Sequence, residues 1–383
     1  MKLLFCSDIS FRDSIIDSDR AKEILSEVMP LSRDVDFRIA NCETVLAIKE
    51  ECAPIEKSGP NLVSHPANIA FFEALKTDVA VLANNHTGDY GDKGLRDTIK
   101  LLSDHNIRHV GAGENLTEAY AACVLEKDGV KISLLAVCEN EFGIATEERP
   151  GTAGFKIGLL QNRIIEEKQK SDYVIVIFHG GNEFNPMPSP KVKERYRLLC
   201  DIGADTVIAM HTHCPQGNEI YKGKTIVYSM GNFYFRSGEE RPANNYWYYG
   251  YMSLLTIENK HISLEIIPYR FDPEVTKITV FEGEEKQKML EYIGRLSEYI
   301  KDDALVRNYF TGWAYLHPWT PIQIVTMRDR EKAQISYAGQ YDLASCEAHN
   351  EQMIEAYRIM FAWELDKGQE WAKKVTKLQE MPV

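Results

Sequence analysis

Five short polar clusters stand in this chain, each at the point where an apolar, strand-like run of residues ends. The runs cover residues 2–6, 35–40, 79–83, 173–178 and 206–210. The polar residues that follow them are Asp8, Asn41-Cys42-Glu43, Asn84-Asn85-His86, His179-Gly180-Gly181 and His211-Thr212-His213. In an open α/β sheet, ligands bind outside the carboxyl ends of the strands, so we expect these groups to surround one crevice. Carboxylates, a carboxamide and four imidazoles together are ligand types that suit a pair of divalent transition metals.

The first two thirds of the chain alternate short apolar runs with amphipathic helical stretches, such as residues 69–75 and 94–105. This alternation predicts βαβ units and a largely parallel sheet. Three tight turns depart from that pattern, because Asp128-Gly129, Lys222-Gly223 and Asn259-Lys260 each separate two strand-like runs. The hairpins predict a mixed sheet, or two sheets packed face to face.

The chain changes character near its last quarter, where the residues become charged and follow a helical period. We predict one domain over residues 1–275 and a helical C-terminal extension over residues 276–383. Helices are expected near residues 285–300, 304–313 and 350–365, and one connection includes the irregular segment Pro318-Trp319-Thr320-Pro321. We expect this extension to carry no chemistry of its own and to cover the first domain as a scaffold.

Composition excludes several classes of protein. The net charge is -13 and no basic stretch exceeds a couple of residues, so binding of nucleic acid through its phosphates is not expected. A small phosphorylated substrate or a polymer fragment is compatible with that charge, because bound metal supplies positive charge locally. No apolar stretch approaches the roughly 20 residues of a membrane span. Eight scattered cysteines without a C-x-x-C pair fit reduced thiols, so we predict a cytoplasmic protein.

The histidines are the most specific candidates for metal ligands. His211 and His213 stand two residues apart after a buried strand, and on a strand end or a tight turn alternate residues share one face. His179 ends an apolar strand and is followed by two glycines, which allow a metal or substrate to approach the backbone closely. A satisfied core histidine is the competing interpretation of His179.

Asn85 and His86 form the second group of candidates. The Asn85 carboxamide oxygen is a neutral metal ligand, and His86 beside it could act as a general acid. The alternative is a simple turn in which Asn85 adopts a left-handed conformation and His86 caps a helix. Asp89, which follows Gly88, fits a loop or helix-cap position with a part in orienting the ligands.

Asp8 and Glu43 are the candidate carboxylates, able to share or bridge two metals about 3.5–4 Å apart. Asp8 could instead cap the segment that follows it. Tyr228 and Asn232 could orient metal ligands by hydrogen bonding, although packing and turn roles explain them almost as well. The aromatic run at residues 246–249 predicts an amphipathic edge strand, with the lining of a substrate cleft as the alternative.

The motifs in their order resemble a known family. They are Asp8, Asn41-x-Glu43, Ala83-Asn84-Asn85-His86 with Asp89-x-Gly91, His179-Gly180-Gly181-Asn182-Glu183, His211-x-His213 and Tyr228-Ser229-x-Gly231-Asn232-Phe233. This order resembles the CapA/PgsA family of bacterial capsule-synthesis, poly-γ-glutamate-associated proteins over about residues 1–270. That family is similar to the calcineurin-like metallophosphoesterases, so the resemblance implies an α/β fold: a two-sheet α/β/β/α sandwich with a helical C-terminal extension.

The resemblance also implies roles for the residues. One metal is expected on Asp8, Glu43 and His213, and the second on Glu43, Asn85, His179 and His211. Glu43 would bridge the two metals, His86 would protonate the leaving group, and metal-bound hydroxide would attack. The residues expected to orient these ligands or to contact the substrate are Asn41, Asn84, Asp89, Glu183, Tyr228 and Asn232.

The sequence departs from the metallophosphoesterase pattern at two positions. Ser10 stands where those enzymes usually have a histidine, and Glu43 stands where they have Gly-Asp. The first metal site is therefore one ligand short, so the cofactor is one or two ions of manganese, iron or zinc.

Two classes of function follow from the resemblance. The first is a metal-dependent hydrolase in capsule, exopolysaccharide or poly-γ-glutamate metabolism, acting on a phosphoester or a γ-glutamyl amide. The alternative is a non-catalytic accessory protein that keeps the fold and works with other capsule-assembly proteins. A nucleotidase is a third hypothesis, with residues 246–249 as its one visible platform for stacking a base.

Overall fold

A computed structural model describes residues 1–236, 238–317 and 338–383. The segment Pro318-Trp319-Thr320-Pro321 lies outside the described residues. The strands are β1 Lys2–Ser10, β2 Phe37–Cys42, β3 Val45–Leu46, β4 Val63–Ser64, β5 Val79–Val81, β6 Arg108–Val110, β7 Ala112–Gly113, β8 Cys123–Lys127, β9 Val130–Cys138, β10 Gly151–Thr152, β11 Tyr173–His179, β12 Thr206–Met210, β13 Asn218–Tyr221, β14 Lys224–Val227, β15 Asn232–Phe235, β16 Tyr249–Glu258, β17 His261–Phe271 and β18 Ile278–Val280. The α-helices are α1 Ser18–Ile24, α2 Val28–Arg33, α3 Ile69–Leu75, α4 Gly91–Asp104, α5 Leu116–Ala119, α6 Ile157–Lys168, α7 Pro190–Ile202, α8 Gly283–Lys301, α9 Asp303–Leu316, α10 Ala338–Ser345, α11 Glu347–Phe361 and α12 Leu365–Leu378.

Two large mixed sheets form the centre of the fold. The first has the strand order β18-β17-β16-β1-β2-β5-β6, and β15 pairs with the end of β1. Its strands β1, β2, β5 and β6 are parallel, whereas β16, β17 and β18 are antiparallel. The second sheet has the order β13-β14-β12-β11-β9-β8, with antiparallel strands at its two edges. The two-sheet architecture expected from the sequence is confirmed.

One continuous apolar core joins the two sheets. Strands β11 and β12 are buried along almost their whole length, which explains their unbroken runs of valine and isoleucine, because parallel strands are covered on both faces. Helices α6 and α7 pack on β11 and β12, and α8 contacts β13 of one sheet and β17 of the other. The sandwich therefore holds the carboxyl ends of its parallel strands in fixed positions.

All three predicted hairpins are confirmed. They join β8 to β9, β13 to β14 and β16 to β17. The six residues of their two-residue turns, Asp128-Gly129, Lys222-Gly223 and Asn259-Lys260, have φ between 50° and 79°. Positive φ at both turn residues is the geometry of the type I′ turn, whose twist matches that of the flanking strands.

The C-terminal extension is helical in its described parts, as expected. Helices α8, α9 and α11 occupy the predicted positions, although α11 ends four residues early, before Trp363, which has a φ of 55°. All eight cysteines are free and buried. In the part of the chain that the structure describes, each helix is too short or too polar to span a bilayer.

An aromatic cluster fastens α3 to the first sheet. The Phe71 ring centroid lies 5.3 Å from that of Phe11 and 4.8 Å from that of Tyr234, and all three rings are fully buried.

We predict that Phe71→Ala lowers the free energy of unfolding by about 3–5 kcal/mol, because it leaves a cavity in this cluster. The exposed Ile220→Ala is the control and is expected to cost under about 1 kcal/mol. Urea denaturation followed by circular dichroism measures both, and equal costs would contradict the packing described.

Candidate metal centre

The predicted ligands come from both sheets. Asp8 lies near the end of β1, where it pairs with Asn41 of β2 on one side and with Asn232 of β15 on the other. His179 is the last residue of β11, in the second sheet. Because the carboxyl ends of the two sheets meet here, residues separated by as many as 203 positions along the chain, such as Asp8 and His211, are joined by a hydrogen bond.

Two groups of three ligands share one carboxylate. The ligand atoms of Glu43, His179 and His211 lie within 4.8 Å of one another, and so do those of Asp8, Glu43 and His213. All five side chains are buried, with exposures between 0% and 4%. Glu43 therefore stands between two ligand groups, the position of a bridging carboxylate.

Asn85 lies beside the group formed by Glu43, His179 and His211. Its Oδ1 lies 3.1 Å from His179 Nε2, and the same nitrogen lies 3.0 Å from His211 Nδ1 and 3.7 Å from Glu43 Oε1. Thus the four residues that the family resemblance implies for the second metal, Glu43, Asn85, His179 and His211, meet around one point.

Two buried atoms at this point accept or donate no hydrogen bond within the described residues. They are Glu43 Oε1 and His211 Nε2. Leaving a buried polar atom unsatisfied costs about 1–3 kcal/mol, so two such atoms among imidazoles and carboxylates indicate that cations complete the centre. Nitrogen ligands together with carboxylate and carboxamide oxygens suit manganese, iron or zinc. The residues present therefore fit a pair of divalent metals.

Burial sets the protonation of the ligands. It raises the pKa of Asp8 to about 7, and, together with the Asp8 charge, raises that of Glu43 well above its usual range. Burial lowers the pKa of His211 to about 4 and that of His179 and His213 well below 6.5. The imidazoles are thus in the neutral form that binds metals, and the carboxyl groups release their protons when a cation binds.

The backbone at His211 and His213 is not extended, which leaves the tight turn, the other geometry expected from the sequence. Their φ angles are 104° and 54°, values that side chains other than glycine rarely adopt and that concentrate at functional sites. This turn directs His211 toward His179 and His213 toward Asp8. The two imidazoles consequently serve different ligand groups.

His213 is held by neighbours from the next segment. Its Nδ1 donates to Asn232 Oδ1 at 2.7 Å, and its ring centroid lies 4.8 Å from that of Trp247. The prediction of an edge strand over residues 246–249 is wrong, because Tyr246–Tyr248 form a buried 3₁₀ turn and β16 begins only at Tyr249. Asn232 is thus placed to orient a metal ligand.

Asn41 and Asn84 form a chain of carboxamides behind the ligands. Asn84 Nδ2 donates to Asn41 Oδ1 at 3.0 Å, and Asn41 Nδ2 donates to Asp8 Oδ1 at 2.8 Å. Asn84 Oδ1 also accepts from the backbone N–H groups of His86 and Thr87. Asn84 therefore shapes the turn and orients a ligand at the same time.

His86 lies at the edge of the centre. Its Nδ1 donates to Asp89 Oδ2 at 2.7 Å, and Asp89 Oδ1 is 2.6 Å from the Lys57 ammonium. Burial and the Lys57 charge lower the pKa of His86, although Asp89 opposes them. Asp89 therefore holds the His86 ring, and the helix-cap role expected for it is wrong, because α4 begins after Tyr90 without a side-chain cap.

A cavity of about 280 Å³ opens beside His86 and Asn85. Glu183 lines it, as do residues that the sequence did not indicate: Lys57, Glu141, Trp313, His317, Asp342, His349 and Gln352. A larger cavity of about 600 Å³ touches none of the predicted metal ligands.

Glu141 is the missed residue closest to the ligands. Its Oε2 accepts from Asn85 Nδ2 at 3.2 Å, and its Oε1 lies 3.9 Å from His211 Nε2. Glu139-Asn140-Glu141 follows β9 directly. It is therefore a sixth polar cluster at the end of an apolar strand, and the pattern that indicated the other five clusters could have indicated this one.

One predicted residue is not part of the centre. The Tyr228 hydroxyl donates to Glu219 Oε2 at 2.8 Å, and its ring stacks on Tyr196 with centroids 5.7 Å apart. The end of β14 directs this side chain toward α7, away from the ligands. The expectation that Tyr228 orients a ligand or contacts substrate is corrected to a packing role.

The geometry predicts how metal is lost from variants. Glu43→Ala should remove both ions, because both ligand groups depend on Glu43, whereas His213→Ala or Asp8→Ala should lower the content of the first position. Mass spectrometry of protein purified without chelators or affinity nickel measures the stoichiometry. Glu167→Gln, at a buried glutamate bonded to Ser133, is the control. Unchanged metal content in all three variants would exclude this centre.

Known proteins match the part of the chain that carries the candidate ligands. Residues 2–237 match the family model described as bacterial capsule synthesis protein PGA_cap. The chain is 30% identical over 230 residues to the capsule biosynthesis protein CapA of Bacillus anthracis, covering 58% of this chain and 56% of that protein. It is 28% identical over 236 residues to the PGA biosynthesis protein CapA of Bacillus subtilis, covering 61% and 62%. The chain thus matches less than two thirds of the length of either relative.

Among solved structures, the 5'-nucleotidase precursor of Thermus thermophilus is similar with a TM-score of 0.44 and 11% identity, covering 83% of this chain and 60% of that one. The matched residues 2–237 contain all six predicted metal ligands and His86. This chain therefore belongs to the family of bacterial capsule synthesis proteins.

Proposed function

We propose that this protein is a metal-dependent hydrolase in capsule, exopolysaccharide or poly-γ-glutamate metabolism, and that it cleaves a phosphoester or a γ-glutamyl amide. The observation that carries the proposal is the shared Glu43, which joins two buried ligand groups at one point. Paired divalent metals activate water and stabilise the charge that develops on the bond under attack.

The remaining residues are suited to bind and orient a substrate beside the metals. The cavity next to Asn85 and His86 has room for a small molecule or the end of a polymer. Lys57 lines this cavity and stabilises the loop of Asn85 and Asp89, because its ammonium group donates to Asn85 O at 3.1 Å and pairs with Asp89. The site is therefore both enclosed and preorganised, which favours catalysis over simple metal storage.

His86 is the residue placed to move a proton. Because Asp89 occupies its Nδ1 and the ring lines the cavity, its Nε2 is the atom that would protonate a leaving group, from the imidazolium form that the Asp89 carboxylate favours. General acids of this kind contribute about 10²–10⁴-fold to a rate.

A second function, an accessory protein of capsule assembly without catalysis, is favoured by one position. Ser10 stands where the metallophosphoesterases usually have an imidazole, and its Oγ is buried and has no hydrogen-bond partner within the described residues. The first ligand group thus holds three residues, and a protein with one structural ion would keep the second group.

Metal content and turnover distinguish the two functions. The hydrolase hypothesis predicts two ions at the Glu43 centre, counted as those lost in Glu43→Ala. It also predicts release of nitrophenol from p-nitrophenyl phosphate or bis-p-nitrophenyl phosphate, or of nitroaniline from γ-glutamyl-p-nitroanilide. One ion without turnover on any of these compounds supports the accessory protein instead.

For the active protein, His86→Ala is expected to keep both ions and to lower turnover by about 10²–10⁴-fold, because the acid is lost and the ligands remain. Steady-state kinetics and metal analysis on the same preparation test this. His105→Ala, at a partly exposed histidine paired with Glu73, should change neither quantity. Loss of metal from His86→Ala would mean that His86 is a ligand and not the acid.

A further inference from the structure

A second kind of ligand group lies in the C-terminal extension, outside the residues that match the family. Asp342 belongs to α10, Cys346 is the N-cap of α11, and His349 is in the first turn of α11. Their ligand atoms lie within 4.8 Å of one another. The break between α10 and α11 at Cys346 therefore brings the three side chains together at the junction of two helices.

Burial and hydrogen bonds hold the three side chains in place. Asp342 and Cys346 are 5% and 0% exposed. Ser58 Oγ donates to Asp342 Oδ2 at 2.5 Å, and the backbone N–H of His349 donates to the Cys346 sulfur. Beside them, Glu347 of α11 accepts from Asn140 Nδ2 at 2.6 Å. These contacts fasten the helix junction to the loops around the cavity.

Within this junction Asp342 pairs with His349, and the other nearby basic side chains are engaged elsewhere. Arg195 is paired with Glu139 at 2.7 Å, and Lys57 is paired with Asp89. Asp342 and Glu141 both line the cavity, and Asp342 Oδ1 lies 3.4 Å from His349 Nδ1, so a cation bound by both side chains would take the place of the proton in this ion pair. Buried carboxylates are normally paired or bound to metal.

We propose that Asp342, Cys346 and His349 form a further metal site, separate from the centre around Glu43, and that it binds Zn²⁺. A thiolate, an imidazole and a carboxylate are the ligand types of tetrahedral zinc. Water or the Glu141 carboxylate, which lines the same cavity, completes the coordination. Cys346 binds as the thiolate and releases its proton on binding.

The site gives the C-terminal extension a definite role. A metal there links α10 to α11. It also fixes the side of the cavity that Asp342 and His349 line, the same cavity that His86 lines. The role does not depend on the proposed hydrolysis, since it concerns different residues and a different readout.

Cobalt substitution tests the proposal directly. The full chain is stripped of metal and reloaded with Co²⁺, and the thiolate-to-cobalt charge-transfer band is followed by absorption. The Glu43 centre contains no sulfur ligand, so the band reports the new site alone. We expect the band in the unmodified protein, in Cys123→Ser and in His213→Ala, and its loss in Cys346→Ser together with one equivalent of metal.

A second variant covers the case in which Cys346→Ser does not fold by circular dichroism. His349→Ala should then lose one equivalent of zinc while the two ions of the Glu43 centre stay. Absence of the charge-transfer band in the cobalt-loaded unmodified protein, its persistence in Cys346→Ser, or full zinc content in His349→Ala overturns the proposal.

Discussion

The shared position of Glu43 is the constraint on which the centre depends. A single buried carboxylate lies within reach of His179 and His211 on one side and of Asp8 and His213 on the other. Because this carboxyl group is buried, its pKa is raised and it holds a proton until cations bind and take the place of that proton. The rest of the architecture, two sheets whose carboxyl ends converge, serves to bring these side chains from distant parts of the chain to one point.

Much of this could be predicted from the sequence, because strand ends and tight turns are local signals. The polar clusters after β1, β2, β5, β11 and β12 and the three hairpin turns depend on short stretches of residues. A turn at His211 was one of two expected geometries, but its positive φ could not be foreseen, because histidine has no local preference for that conformation and the His211 N–H is bonded to the distant Asp8. Tyr228 was misassigned for a related reason. Its hydrogen-bond partner, Glu219, lies on the neighbouring strand of a hairpin, and the sequence alone does not show whether the hydroxyl bonds to that glutamate or to a metal ligand.

The residues that line the cavity show a second limit. Glu141 could have been found, since it follows a strand end like the other ligands. Asp342 and His349 could not, because the C-terminal extension reaches the centre only through tertiary contacts, such as Asn182 Nδ2 donating to Gln352 Oε1 at 2.9 Å. That bond links the loop after His179 to α11. The extension was expected to be a scaffold, and the structure adds that it forms one wall of the cavity beside the predicted acid, His86.

The measurement that tests the central claim most directly is anomalous diffraction from crystals of the protein grown with Mn²⁺. The account predicts two peaks about 3.5–4 Å apart, with the Glu43 carboxylate between them, His179 and His211 at one peak, and Asp8 and His213 at the other. A single peak that does not contact Glu43, or none at a saturating concentration of metal, would contradict the shared-carboxylate centre.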